Sequence, residues 1–420
     1  MRLLSDNPST FDMLGFKGMV DILFTVIREM PEPPFTIGIF GEWGCGKTTL
    51  MKMLQERLSN NKVKTVWFNA WKYDGKEVIW NALIQQIFYT IKEDPELENT
   101  DKGKELKKRV GQVASELANY AAKVAVEFIP GGFVKPEVVD ILAGGLRPLD
   151  ANDEQFKFIN RFELEFDELV KAYLGNDKKY LVVFIDDLDR CLPETAIEVM
   201  EALKLYLDRA NCIFVIGTES SIIEEGIKQR YKDNSRLSAK EYLEKIIQLP
   251  FVMRGIDTDN ALSLLDPYEK TIHYRHDEAI RTLIVEGTKC NPRRIKRFIN
   301  AFWVLSAIAT YSPNGIELTL SEEEQRNLAK ILLIQMRFPK LYYALVEDFG
   351  LIANLTAIFQ KDASERDSAF ALNSTFREFY EDKEVRTFII KTSQIPCERE
   401  QIMKWVLLTK GQPIGNDRLL

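Results

Sequence analysis

The sequence predicts an α/β domain with a parallel sheet covered on both faces, a helical insertion within it, and an all-helical C-terminal region. Three observations carry this. Short apolar runs recur at 35–40 (FTIGIF), 63–68 (VKTVWF), 180–185 (YLVVFI), 211–216 (NCIFVI) and 246–251 (IIQLPF). Nearly continuous apolar runs of this length suit strands buried on both faces. Helical spacing fills the stretches between them, at 49–58, 77–92, 194–209 and 219–230, which is the alternation of a doubly wound fold. After 252 the pattern turns helical throughout, at 277–286, 293–309, 321–338, 339–348 and 400–409, with a capping box formed by Ser321 and Glu324.

The second and third strands are unusually far apart. Asn69 and Tyr180 stand more than 100 residues from each other, whereas crossovers in α/β units are far shorter. The expected organisation is therefore a core of residues 1–92 and 161–252, an insertion at 93–160 and a helical domain at 253–420. Within the insertion Val113, Leu117, Tyr120, Val124 and Phe128 recur at helical spacing before Pro130-Gly131-Gly132. Two readings fit: a helical hairpin packed on the sheet domain, or a peripheral membrane or partner contact through 111–145.

Bulk properties exclude several classes. A net charge of −7 over 420 residues does not suggest a nucleic-acid or membrane binder. Five cysteines without a CxxC pair, and only His273 and His276, argue against a Cys/His metal site and fit a reducing cytoplasm. No stretch has the length and apolarity of a membrane-spanning helix, and the N-terminus lacks a signal-peptide pattern.

Gly41-Glu42-Trp43-Gly44-Cys45-Gly46-Lys47-Thr48 matches G-x-x-x-x-G-K-[ST], with a strand before it and a helix after it. Glycines at these positions let backbone N–H groups curl round phosphate oxygens. The Lys47 ammonium would meet the β and γ phosphates, the Thr48 hydroxyl would serve Mg²⁺, and the helix would point its positive end at the anion. Residues 181–187 (LVVFIDD) deliver acids at a strand end, where Asp186 would hold Mg²⁺ and Asp187 would orient and deprotonate the attacking water. Alternatively these acids cap the helix that Pro193 opens. Arg190 either pairs with Asp187 or Asp189 or reaches a phosphate, its own or a neighbouring subunit's. Thr218 and Glu219 at the end of the fourth strand sense the γ-phosphate or cap a helix. Lys289 with Asn291-Pro292-Arg293-Arg294-Ile295-Lys296-Arg297 forms the one local basic patch, readable as a solvated helix start, a phosphate sensor or a nucleic-acid contact. The base is expected to be adenine, because Thr288-Lys289-Cys290-Asn291, the closest string to a guanine-reading [NT]-K-x-D, lacks the acid and lies too late.

Taken in order, GEWGCGKTT, WFNAWKYDG (67–75), VVFIDDLDRC (182–191), YLEKIIQLPF (242–251) and NPRRIKRFIN (291–300), with DNP at 6–8 and DMLGF at 12–16, resemble the KAP family of P-loop NTPases over about residues 1–305. The resemblance implies the additional-strand class, in which the Thr218 strand separates the phosphate-loop strand from the Asp186 strand. It implies ATP and Mg²⁺, with Gly41 to Thr49, including Trp43, Cys45 and Thr49, around the phosphates. It places Asn69 and Trp71 near the γ-phosphate and makes Arg293 a sensor arginine, with Cys290 where a glycine is expected. Many members carry two membrane helices where this chain has its 93–160 insertion, and members are linked to phage exclusion and membrane signalling assemblies. The resulting expectation is Mg²⁺-dependent ATP hydrolysis that drives a conformational switch in a multi-component assembly, with partner proteins unspecified and a homo-oligomer or a nucleic-acid-stimulated motor left open. A nucleotide-sensing scaffold with little turnover is the alternative.

Overall fold

The computed structural model describes residues 4–5, 12–29, 33–74, 79–126, 153–175, 180–206, 211–230, 239–253, 255–266, 272, 277–312, 315–316, 320–395 and 399–410. Two compact units emerge. One is Phe16–Arg254 with Pro8–Asp12, and the other is Gly255–Leu420 with Met1–Asn7 and Met13–Gly15. His273, His276, Cys397, the DNP element and most of 111–145 lie outside the described residues.

The first unit is built on α1 (Lys17–Glu29), β1 (Phe35–Phe40), α2 (Lys47–Asn60), β2 (Thr65–Asn69), α3 (Ile79–Lys92), α4 (Asp101–Val126), α5 (Asp153–Leu174), β3 (Leu181–Asp186), α6 (Pro193–Tyr206), β4 (Cys212–Thr218), α7 (Ser220–Arg230), α8 (Ala239–Ile246) and β5 (Leu249–Val252). All strand pairs are parallel, in the order β2-β3-β4-β1-β5. β4 therefore separates β1 from β3, as the additional-strand class requires. Every residue of β3 and β4 is buried, while burial alternates along the edge strands β2 and β5. The order of strands thus follows their apolarity: the most continuous runs take the centre.

The fifth run behaves differently from its expectation. Ile246 ends α8 and only Leu249–Val252 form the strand. An apolar run alone does not distinguish helix from strand; here Ile246 and Ile247 are buried at the helix end. Pro250 has no N–H to donate, which an edge strand tolerates.

The described part of the insertion packs inward. Leu106, Val110 and Leu117 of α4 are buried in the main core, with Val113 and Ala114 partly buried against it. Phe162, Phe166, Leu169, Val170 and Tyr173 of α5 join the same core, and Phe88 of α3 meets Phe162 and Phe166. At the entrance, buried Asp94 pairs with Lys64 and accepts a hydrogen bond from the Tyr173 hydroxyl at 2.6 Å. Desolvation works against both charges, yet the ion pair and hydrogen bonds outweigh it, raising the Lys64 pKa and lowering that of Asp94. Among the described residues no single helix is long and apolar enough to cross a membrane.

The second unit comprises α9 (Thr258–Ser263), α10 (Glu278–Thr288), α11 (Pro292–Ala309), a pair of short antiparallel strands (Tyr311–Ser312 with Gly315–Ile316), α12 (Glu322–Arg337), α13 (Pro339–Glu347), α14 (Leu351–Phe359), α15 (Ala363–Leu372), α16 (Ser374–Glu381), α17 (Lys383–Lys391) and α18 (Arg399–Thr409). The antiparallel pairing of Tyr311–Ser312 with Gly315–Ile316 breaks an otherwise helical pattern. Ser321 and Glu324 do form the capping box of α12. That helix is buried over Asn327–Gln335, including Lys330, whose Nζ donates to the carbonyls of Thr392 at 2.9 Å and Ile395 at 2.6 Å. These carbonyls lie at and beyond the end of α17, where a cation satisfies acceptors the helix leaves over.

One contact between helices offers a direct test of packing in the sheet domain. A Cβ on Gly226 of α7 would lie 2.4 Å from the Pro193 carbonyl oxygen at the start of α6. Backbone cannot yield as a flexible side chain would, so Gly226→Ala is expected to lower unfolding stability by about 1–3 kcal/mol. Chemical denaturation checks this; unchanged stability contradicts the close approach.

Candidate nucleotide site

The turn after β1 is shaped by its glycines. A Cβ on Gly41 would sit 2.7 Å from Cys45 Sγ and 3.2 Å from Met253 Cβ, and Gly44 and Gly46 have φ of +85° and +106°. Side chains at these positions would clash or strain. The Cys45 amide donates back to the Glu42 carbonyl at 3.2 Å, closing the loop. Gly46 offers no side-chain cap to α2, so the first-turn N–H groups around Lys47, Thr48 and Thr49 face the loop with the positive end of the helix behind them. Cys45 is buried, and desolvation raises its thiol pKa, making it a packing residue of the loop; Trp43 stands more than one-third exposed on the outside.

Lys47 is 7% exposed. Its Nζ donates to the carbonyls of Gly41 at 2.9 Å and Glu42 at 3.3 Å and pairs with Asp189 Oδ2 at 2.8 Å. Thr48 Oγ1 donates to Asp186 Oδ1 at 3.0 Å. A hydroxyl and a carboxylate side by side are hard oxygen donors of the kind Mg²⁺ takes alongside phosphate oxygens and water. Among the described residues no group of three or more His, Cys, Asp or Glu could hold a metal by itself. The donor set thus fits an ion that arrives with phosphate. Burial, then the neighbouring Asp187 charge, pushes the Asp186 pKa up to about 6, with Thr48 and the Asp187 amide pulling the other way.

Asp187 departs from the strand with φ +57°, a left-handed turn that aspartate tolerates better than most side chains. Both its carboxylate oxygens are engaged: Oδ2 accepts from Asn69 Nδ2 at 2.6 Å, and Oδ1 pairs with Arg190 Nε at 2.9 Å. The register of β2 on β3 sets Asn69 opposite Asp186, so one strand end supplies the partner for the next strand's acid. Arg190 also stacks over the Trp71 ring at 5.2 Å, so in this structure its guanidinium lies between Trp71 and Asp187. Thr218 is fully buried, pairs in register with Phe40 at the base of the loop, and ends the strand between the two site strands.

Lys47, Thr48, Asn69, Asp186, Asp187 and Arg190 are therefore brought together. Arg293 belongs to the other unit, in the first turn of α11, where Asn291 caps the amides of Arg293 and Arg294. Cys290, where the family pattern has glycine, has φ +53°, so the turn keeps a left-handed conformation without its usual residue. In the basic patch, Lys289 pairs with Glu286 at 3.1 Å and Lys296 donates to the Ser5 carbonyl at 3.1 Å.

Two site residues escape sequence reasoning. Asp189 reads in the sequence only as a possible partner of Arg190, whereas it pairs with Lys47. Asp74 accepts from Thr195 Oγ1 at 2.8 Å and Leu192 N at 3.3 Å, tying the segment after β2 to the start of α6. The only sequence signal for Asp74 is an acid three residues past the Asn69-Ala70-Trp71 element, which points to no partner.

The model of the "KAP family P-loop domain" matches residues 16–309. The Phage T7 exclusion protein of Escherichia coli (strain K12) is 26% identical over 255 residues, covering 57% of this chain and 33% of that protein, so the chain spans about a third of that relative's length. Solved structures of the Aeropyrum pernix ORC2 protein (10% identity, TM-score 0.38, 95% of each chain covered) and of Cdc6p from Pyrobaculum aerophilum (13%, 0.42, 96% and 97%) overlap only loosely. With the family's loop, acids and strand order all present in one unit, the chain belongs to the KAP family of P-loop NTPases.

Proposed function

We propose that the chain binds ATP with Mg²⁺ at Gly41–Thr49 and hydrolyses it, and that the cycle switches a protein assembly. The observation that carries this reading is the convergence of a buried lysine, a hydroxyl–carboxylate pair and a second acid on the C-terminal ends of β1 and β3. Lys47 and the loop amides would hold the phosphates. Thr48 and Asp186 would hold Mg²⁺, which when bound neutralises phosphate charge. Asp187 would orient the attacking water and take its proton. Arg293 is assigned the sensor role, and the assembly a part in phage exclusion, on family membership and the related protein's name alone.

A second reading has its own support. Asp187 is held on both oxygens by Asn69 and Arg190, which suits a protein that holds ATP and turns over only when that hold is broken. Steady-state hydrolysis separates the two. The wild type is expected to turn over ATP with Mg²⁺ and not with EDTA. Lys47→Ala and Asp187→Asn are each expected to lower kcat by at least about 100-fold. Equal rates in wild type and Asp187→Asn contradict the catalytic assignment; binding without turnover in the wild type moves the chain to the sensing reading.

The Asp186 carboxyl generates a pH prediction for the ligand-free protein. Folded, it keeps its proton up to about pH 6; unfolded, it loses it near 3.8. Between these values the folded state binds more protons, so this group's contribution makes stability fall as pH rises through that window and then level off. Asp186→Asn is expected to gain on the order of 2–3 kcal/mol over wild type at pH 8 and nothing below about pH 4. Thermal unfolding of both proteins across pH checks this; a less stable variant at pH 8 contradicts it.

A further inference from the structure

We propose that Asp189 is a built-in competitor for the phosphate that Lys47 would bind, so that nucleotide entry must displace it; this rests on the nucleotide-binding reading of the loop. Lys47 Nζ donates to two backbone carbonyls and forms an ion pair with Asp189 at 2.8 Å, and of these three only Asp189 carries charge. Both side chains are more than nine-tenths buried, at 7% and 6% exposure. In that setting an ion pair interacts strongly, and removing one partner leaves an uncompensated charge. An arriving phosphate brings at least as much negative charge to the same ammonium. Asp189 left in place would repel it, so the two anions exclude one another.

The location of Asp189 gives the exchange a consequence. It sits in the short 3-10 turn Leu188–Arg190, between Asp187 and Arg190. The Arg190 amide donates to the Asp187 carbonyl at 3.2 Å, and its guanidinium holds the Asp187 carboxylate. Displacing Asp189 moves the one turn that carries the Arg190 hold on Asp187. Phosphate occupancy and release of the second acid are thereby joined through three residues. Asp189 acts as a positioning residue through Lys47 and Arg190.

Equilibrium binding of ATP tests this with wild type, Asp189→Asn, Asp189→Ser and the charge-restoring Asp189→Glu, each in Mg²⁺ and in EDTA. Removing the competitor is expected to tighten binding by at least about fivefold in both buffers, with Asp189→Glu returning toward wild type. A purely structural role predicts the opposite sign. Equal or weaker binding by Asn and Ser variants that keep a cooperative unfolding transition overturns the proposal. A loss confined to Mg²⁺ buffer also overturns it, by assigning Asp189 to the metal. If neither wild type nor any variant binds ATP, the nucleotide reading itself fails and this proposal with it.

Discussion

The arrangement of the site depends on the burial of one ammonium, Lys47, beside three acids within four residues. Charges taken out of water must be paired or neutralised. Each acid here has its own solution: Asp189 takes Lys47, Asp187 takes Asn69 and Arg190, and Asp186 takes the Thr48 hydroxyl while holding its proton up to about pH 6. The partners come from three segments, the turn after β1, the end of β2 and the turn after β3, which the parallel sheet brings to one edge. The β2–β3 register delivers Asn69, and the β1 turn delivers Lys47 and Thr48.

That dependence explains the glycines and the unusual backbone. Gly41 has no room for a Cβ, Gly46 turns left-handed to open α2, and Asp187 turns left-handed to leave β3. Strained conformations held by surrounding contacts are common where geometry must be maintained for chemistry. The Asp74 link and the Trp71–Arg190 stack hold the segment after β2 against the segment after β3. The residues around Asp187 form one supported unit.

Much of this was legible from local pattern. The phosphate loop, the acidic strand end and the central strands announce themselves because glycine, lysine and continuous apolar runs have few alternative uses at those spacings. The fifth apolar run does not separate Ile246 and Ile247 from the strand, because burial at a helix end and in a strand look alike in a short apolar run. The helices between 351 and 391 are not individually visible because each is only 8 to 10 residues long, too short for a helical period to repeat more than about twice. The Lys47–Asp189 pair joins residues 142 positions apart (189 minus 47) and requires knowledge of which strand ends meet. The left-handed Cys290 shows the converse, a backbone demand met by a residue that does not advertise it.

The most direct test of the central claim is the thermal unfolding temperature of the purified chain against ATP concentration, with Lys47→Ala alongside. A site of this construction stabilises the folded state by mass action, so the wild-type transition should climb steadily with ATP and the variant should not. A wild-type transition indifferent to ATP, or an equal climb in Lys47→Ala, would mean that Gly41–Thr48 is not where nucleotide binds.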